Sequence, residues 1–184
     1  FPVLYSSAFS GFYLPLMIVL WLLIGRGIAI EFRNHLDSPI WTPFWDAIFS
    51  ISSALLAVFF GAALGNIVRG VPLASNQEFF LPMRTNFQVH PSPGILDWYT
   101  ILTGITALAV LSLHGALWIR YKTHDALEAR ASVIARRLWY AVAALTIVIT
   151  GASFTVQPLL SASLAARPWM WIFPILAVAG LVWA

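Results

Sequence analysis

The run Arg26-Gly27-Ile28-Ala29-Ile30-Glu31-Phe32-Arg33 sets three ionisable side chains at the end of an apolar stretch otherwise long enough to cross a bilayer. A charge at the centre of a spanning helix costs roughly 2.5–3.5 kcal/mol and less toward its ends, so such residues pair, snorkel to the headgroups or mark a path for protons or ions. At about 100° per residue Arg26 and Arg33 share nearly one helix face, whereas Glu31 lies roughly 140° from Arg26. An internal Arg26–Glu31 pair is therefore not expected. Arg26 is expected to reach the headgroups, and Glu31 to meet a neighbouring helix or subunit. The plainer reading is an interfacial anchor that does no chemistry.

His114 is the only histidine deep in an apolar run; His35, His90 and His124 fall in loops or near ends. A membrane haem b commonly takes two axial ligands from apposed helices, and no convincing second histidine accompanies this one. Hydrogen bonding between helices is the simpler role, so His114 is not assigned as a metal ligand. Gly61 and Gly65 form a small-xxx-small pair that lets another helix approach closely, with Asn66 placed to bond across the contact. Asp46 and Asp97 stand near the starts of predicted helices, where a carboxylate meets unsatisfied N–H groups and the positive dipole end. No nucleophile with a base, HExxH, P-loop or GxGxxG occurs, and no catalytic residue is assigned. The absence of cysteine removes disulfides, thiolate metal sites and cysteine nucleophiles together.

The elements that must carry these residues follow from composition. Of 184 residues 60% are hydrophobic and 9% charged, with mean hydropathy +0.85, whereas soluble domains carry about 25% charged residues. The expected fold is all-α, a polytopic transmembrane helical bundle forming a single integral membrane domain over residues 1–184. Five stretches approach the roughly 20 residues needed to span: about 12–30, 44–68, 95–119, 138–156 and 169–184. Residues 1–8 read as the tail of a preceding span, and the chain reads as an internal piece of a longer protein.

Short cytoplasmic loops accumulate Lys and Arg. Arg26, Arg33, Arg120, Lys122, Arg130, Arg136 and Arg137 collect on one side, against Arg69, Arg84 and Arg167 on the other. The first side is taken as cytoplasmic. Residues 120–137 then form a basic cytoplasmic loop and 69–94 a long extracytoplasmic one, rich in proline and longer than ordinary connections. Trp41, Trp45, Trp98, Trp118, Trp139, Trp169 and Trp171 sit near span ends, where an indole prefers the headgroup region. The net charge of +3 lies in loops between apolar runs, which is no nucleic-acid footprint.

Several segments resemble subunit II of the cytochrome bd-type quinol oxidases, complexes that oxidise quinol and reduce dioxygen to water. They are Phe1-Pro2-Val3-Leu4-Tyr5, Ala8-Phe9-Ser10-Gly11-Phe12-Tyr13-Leu14-Pro15-Leu16, the Arg26–Arg33 run, and Gly61-Ala62-Ala63-Leu64-Gly65-Asn66-Ile67-Val68-Arg69-Gly70-Val71-Pro72. Gly94-Ile95-Leu96-Asp97-Trp98-Tyr99-Thr100 and Leu113-His114-Gly115-Ala116-Leu117 add to the likeness, which weakens after Val156. The resemblance implies a multi-pass subunit of a respiratory chain in a bacterial or archaeal cytoplasmic membrane. It would carry no haem ligand itself. Two haems b, haem d and the quinol-oxidising loop would lie in subunit I, with quinol as substrate, a small accessory subunit as a further partner, and a structural quinone held by some members. The subunit would support haem assembly and proton access. The family's acidic proton-path residue belongs to earlier helices whose motifs do not occur here, so none is transferred. Arg26, Glu31 and Arg33 match a family signature without an assigned role. The competing readings are a helical-bundle transporter and a membrane anchor that binds haem b itself.

Overall fold

Hydrocarbon offers no partner for a peptide group, so apolar runs of this length satisfy their backbone only by coiling. The computed structural model describes residues 2–75, 78–91 and 93–183, and among these it contains helices and no strand. The helices are α1 (Pro2–Gly11), α2 (Tyr13–Phe32), α3 (Trp41–Arg69), α4 (Trp98–Lys122), α5 (Asp125–Val156), α6 (Leu159–Ala166) and, after a 3₁₀ turn at Pro168–Trp171, α7 (Ile172–Trp183). Helices α2 to α5 are each long and apolar enough to cross a bilayer. Leu159–Ala166 and Pro168–Trp183 form a fifth candidate only as a broken span bent by 111°. The chain is a polytopic helical membrane protein, as its composition demands.

Three boundaries differ from expectation. Residues 120–137, expected as a loop, are helical except at Thr123 and His124, and α5 begins at Asp125. Ala126, Leu127, Glu128, Ala129 and Arg130 are strong helix formers, and Asp125 and Glu128 in the first turn complement the dipole. Arg69 closes α3 rather than opening a loop; Gly70 ends the helix with φ +86°, a conformation that favours glycine. The span expected at 169–184 is the second arm of that bent pair and becomes α-helical only from Ile172, after the 3₁₀ turn; the bend falls just before it, where Arg167, preceding Pro168, sits at φ −134°, ψ 77°, outside the helical region. The expected span tail at 1–8 falls in α1, which only Phe12 separates from α2; Phe1 and Ala184 lie outside the described residues.

Packing divides the chain into two compact units, Phe1–Leu111 and Ser112–Ala184, with the boundary inside α4. In the first, α2 packs along α3, and the indole N–H of Trp41 donates to the Phe32 carbonyl (2.7 Å), closing the turn between them. The 70–97 connection folds back on its own unit. Phe79, Leu81 and Ile95 are buried together beside Phe12, Val71 and Met83, and the Phe79 ring meets Phe12 edge-on at 5.0 Å. Within it Ile95 N–H donates to Pro82 O and Leu96 N–H to Met83 O, both at 2.9 Å. In the second unit Ala131, Ala135 and Val142 form the buried stripe of α5. The Trp139 indole N–H donates to Leu181 O of α7 (2.8 Å).

Candidate functional site

The last turn of α3 brings Gly65, Asn66 and Arg69 to one side of the helix, since residues three and four apart are neighbours on its surface. Opposite them the chain re-enters helix through Gly94-Ile95-Leu96-Asp97. Asp97 caps α4: its carboxylate accepts the Thr100 N–H (2.8 Å), and its own N–H donates to the Thr100 hydroxyl (2.9 Å). This reciprocal cap fits the role expected of Asp97. The second role of that carboxylate was not legible, for it also pairs with the Arg69 guanidinium, whose side chain is 1% exposed against 0% for Asp97.

The pair is held on all sides. Arg69 donates to Gly94 O (2.8 Å), to the Asn66 amide oxygen (2.7 Å) and to Gly70 O (3.3 Å). The Asn66 amide donates to Ala62 O and Ile95 O, both at 2.9 Å, and the Thr100 hydroxyl donates to Ile95 O at 3.0 Å. A buried ion pair offsets its desolvation only when its remaining donors and acceptors are satisfied, and this one meets that condition. Its donors are spent on its own acceptors, so the cluster pins the end of α3, residues 94–95 and the start of α4 together rather than presenting a reactive group. The signal available in sequence was an asparagine and an arginine three apart at a span end, answered by an acid 28 residues later.

One to two turns back along α3, Gly61 and Gly65 face α4 at backbone range. A methyl group on Gly61 would lie 2.8 Å from Gly104 Cα and 2.9 Å from Thr103 O; on Gly65 it would meet Thr100 and Thr103. Gly104 reciprocates, its missing methyl falling 2.7 Å from Val58 O. Gly104 is not among the residues the sequence singles out; its role appears only where α3 crosses it.

The Arg26–Arg33 run lies at the other end of α2. Arg26 is exposed and sits over the Phe49 ring of α3, 5.4 Å from its centroid, and makes no pair with Glu31. Glu31 is exposed and forms no hydrogen bond or ion pair among the described residues. Arg33 pairs with Asp46 across the turn (Nε to Oδ1, 2.5 Å), with both side chains 49% exposed. Asp46 is thus no helix cap; α3 starts five residues before it, and the carboxylate answers Arg33 instead. An ion pair this open contributes less than about 1 kcal/mol.

His114 is exposed on α4 and makes no hydrogen bond among the described residues. No group of three or more His, Asp or Glu that could hold a metal occurs among the described residues.

Residues 1–184 match the family model described as cytochrome bd terminal oxidase subunit II. A probable cytochrome oxidase subunit 2 of Haemophilus influenzae is 33% identical over 135 residues, which is 73% of this chain and 34% of the relative. The cytochrome bd ubiquinol oxidase subunit 2 of Bacillus subtilis is 32% identical over 138 residues, 75% of this chain and 38% of the relative. The cytochrome bd-I ubiquinol oxidase subunit 2 of Escherichia coli is 28% identical over 135 residues, 73% and 34% respectively. The matched region is therefore about a third of the length of these relatives.

Proposed function

The chain belongs to the cytochrome bd terminal oxidase subunit II family, and from that premise we propose that it is part of the non-haem membrane subunit of a bd-type quinol:oxygen oxidoreductase. The observation that carries this reading is the family match over all 184 residues. Quinol oxidation and dioxygen reduction belong to the haem-bearing partner, subunit I, with two haems b and haem d; a quinone in the subunit and a small accessory chain are compatible additions. The setting is a bacterial or archaeal cytoplasmic membrane. The excess of basic residues on one side supports an orientation with the Arg26–Arg33 end toward the cytoplasm and the 69–94 loop outside.

The chemistry left to these residues is positional. The Arg69–Asp97–Asn66 cluster fixes the outer end of α3 against α4, and Gly61, Gly65 and Gly104 set the distance between those helices. Glu31, without a polar partner among the described residues, is available to a neighbouring subunit, which fits a role in haem-site enclosure or proton access. Redox difference spectra of the purified complex and of the separated full-length subunit test the reading. Haem signals are expected in the complex and not in the separated subunit. Haem retained by the separated subunit would overturn the non-haem role, and a haem-free complex would overturn the oxidase.

A further inference from the structure

A cavity of about 370 Å³ opens in the second unit where the basic ends of α4 and α5 meet. On α4, Leu113, Leu117 and Arg120 recur at i, i+4 and i+7 and so share one face; on α5, Ser132, Arg136, Trp139 and Tyr140 do the same. Two guanidinium groups and a hydroxyl thus line a hollow whose remaining wall is aliphatic and aromatic. The wall is braced by the Trp139 indole bond to Leu181 O, which holds the end of α7 beside it.

Among the described residues the cations of this hollow face no anion. Neither Arg120 nor Arg136 makes an ion pair or hydrogen bond among the described residues. Among the described residues no carboxylate lines the cavity; Glu128 lines the adjoining one, which shares Arg120. The height is that of the membrane interface. Trp118 and Tyr121 flank Arg120, Trp139 and Tyr140 follow Arg136, and Lys122 lies 5.2 Å from the ring centroids of both Trp118 and Tyr121. Aromatic rings and basic side chains meet in this way at headgroup level, and basic pockets between spans on that side suit phosphate-bearing lipids.

We propose that the Arg120–Arg136 hollow between α4 and α5 binds the headgroup phosphate of an anionic phospholipid, Arg120, Arg136 and Ser132 donating to the phosphate oxygens while the acyl chains follow Leu113 and Leu117. Guanidinium forks match phosphate oxygens better than lysine does, because two parallel N–H groups can donate at once. The site is distinct from the family signature and from the Arg69 cluster.

The intact complex in nanodiscs of phosphatidylcholine containing a minor fraction of phosphatidylglycerol tests this, with bound lipid counted by native mass spectrometry. Wild-type complex is expected to retain phosphatidylglycerol over phosphatidylcholine, and Arg120→Gln with Arg136→Gln to weaken that binding about 30-fold, the factor expected for two arginines near an anionic surface. Arg130→Gln, which removes a charge outside the hollow, is expected to change nothing. Wild-type complex that shows no preference would overturn the proposal without any variant. Equal losses in the Arg130 and Arg120/Arg136 variants would reduce it to diffuse charge and overturn it as a site. Inorganic phosphate that displaces the lipid at equal affinity would assign the hollow to free phosphate and overturn the lipid.

Discussion

Asp97 carries two loads that a sequence presents as one. As the first residue before α4 it caps Thr100, and as a buried anion it neutralises Arg69. The cap alone is worth about 1 kcal/mol, whereas removing one partner of a buried pair typically costs 3–5 kcal/mol, because the other charge is left uncompensated. The second effect dominates. Arg69→Leu is therefore expected to lower stability by about that amount, and Arg69→Leu with Asp97→Asn by distinctly less than the sum of the single changes. Thermal unfolding in detergent measures both; strictly additive losses would show that the two side chains do not act as a unit. Asp46 makes the opposite case. It was read as a cap and is instead an exposed partner of Arg33, a pairing set by the turn between α2 and α3 and not by any local motif.

At the scale of the element, the separation of α3 and α4 is fixed by missing side chains. Gly61, Gly65 and Gly104 bring backbone to backbone, a contact that in lipid rests on dispersion and close fit instead of water exclusion. Gly61→Val would drive a branched side chain into Gly104 and Thr103. We expect it to cost about 1–3 kcal/mol or more, the range for overpacking, with Gly115→Ala harmless in comparison because none of the described residues lies within 4 Å of its missing methyl. Unfolding midpoints of the two variants check this, and equal effects would remove the glycine contact as the cause. The spans themselves were legible because bilayer thickness imposes a length and apolarity on them. Helix ends were less so. The helical start of α5 was hidden by its charges, which mark the water boundary and not the end of the helix; Ala126 to Ala131 continue to coil beyond the hydrocarbon.

For the molecule as a whole, the exposed Arg26 and Glu31 matter only in company. Arg26 touches Phe49, and Glu31 touches no polar partner among the described residues, so both are expected to serve an assembled complex. Arg26→Ala or Glu31→Ala should reduce the yield of haem-loaded complex several-fold while leaving the quinol KM near wild type. Haem content per complex and steady-state kinetics separate the two effects, and full haem content with a raised KM would count against the assembly role.

Sequence alone determined that the chain is a helical membrane protein and which family its motifs resemble, because hydropathy and short motifs are local properties. Gly61, Gly65 and Asn66 were also visible as a contact surface, since a four-residue spacing is written along one helix. What met that surface was decided only by the tertiary structure. Arg69 and Asp97 lie 28 residues apart on opposite sides of a long connection, and their charges read locally as a loop cation and a cap. Only when α3 and α4 pack do they become one buried, fully bonded cluster. Arg120 and Arg136 come to line one hollow by the same cause, the meeting of two helix faces that no local motif brings together.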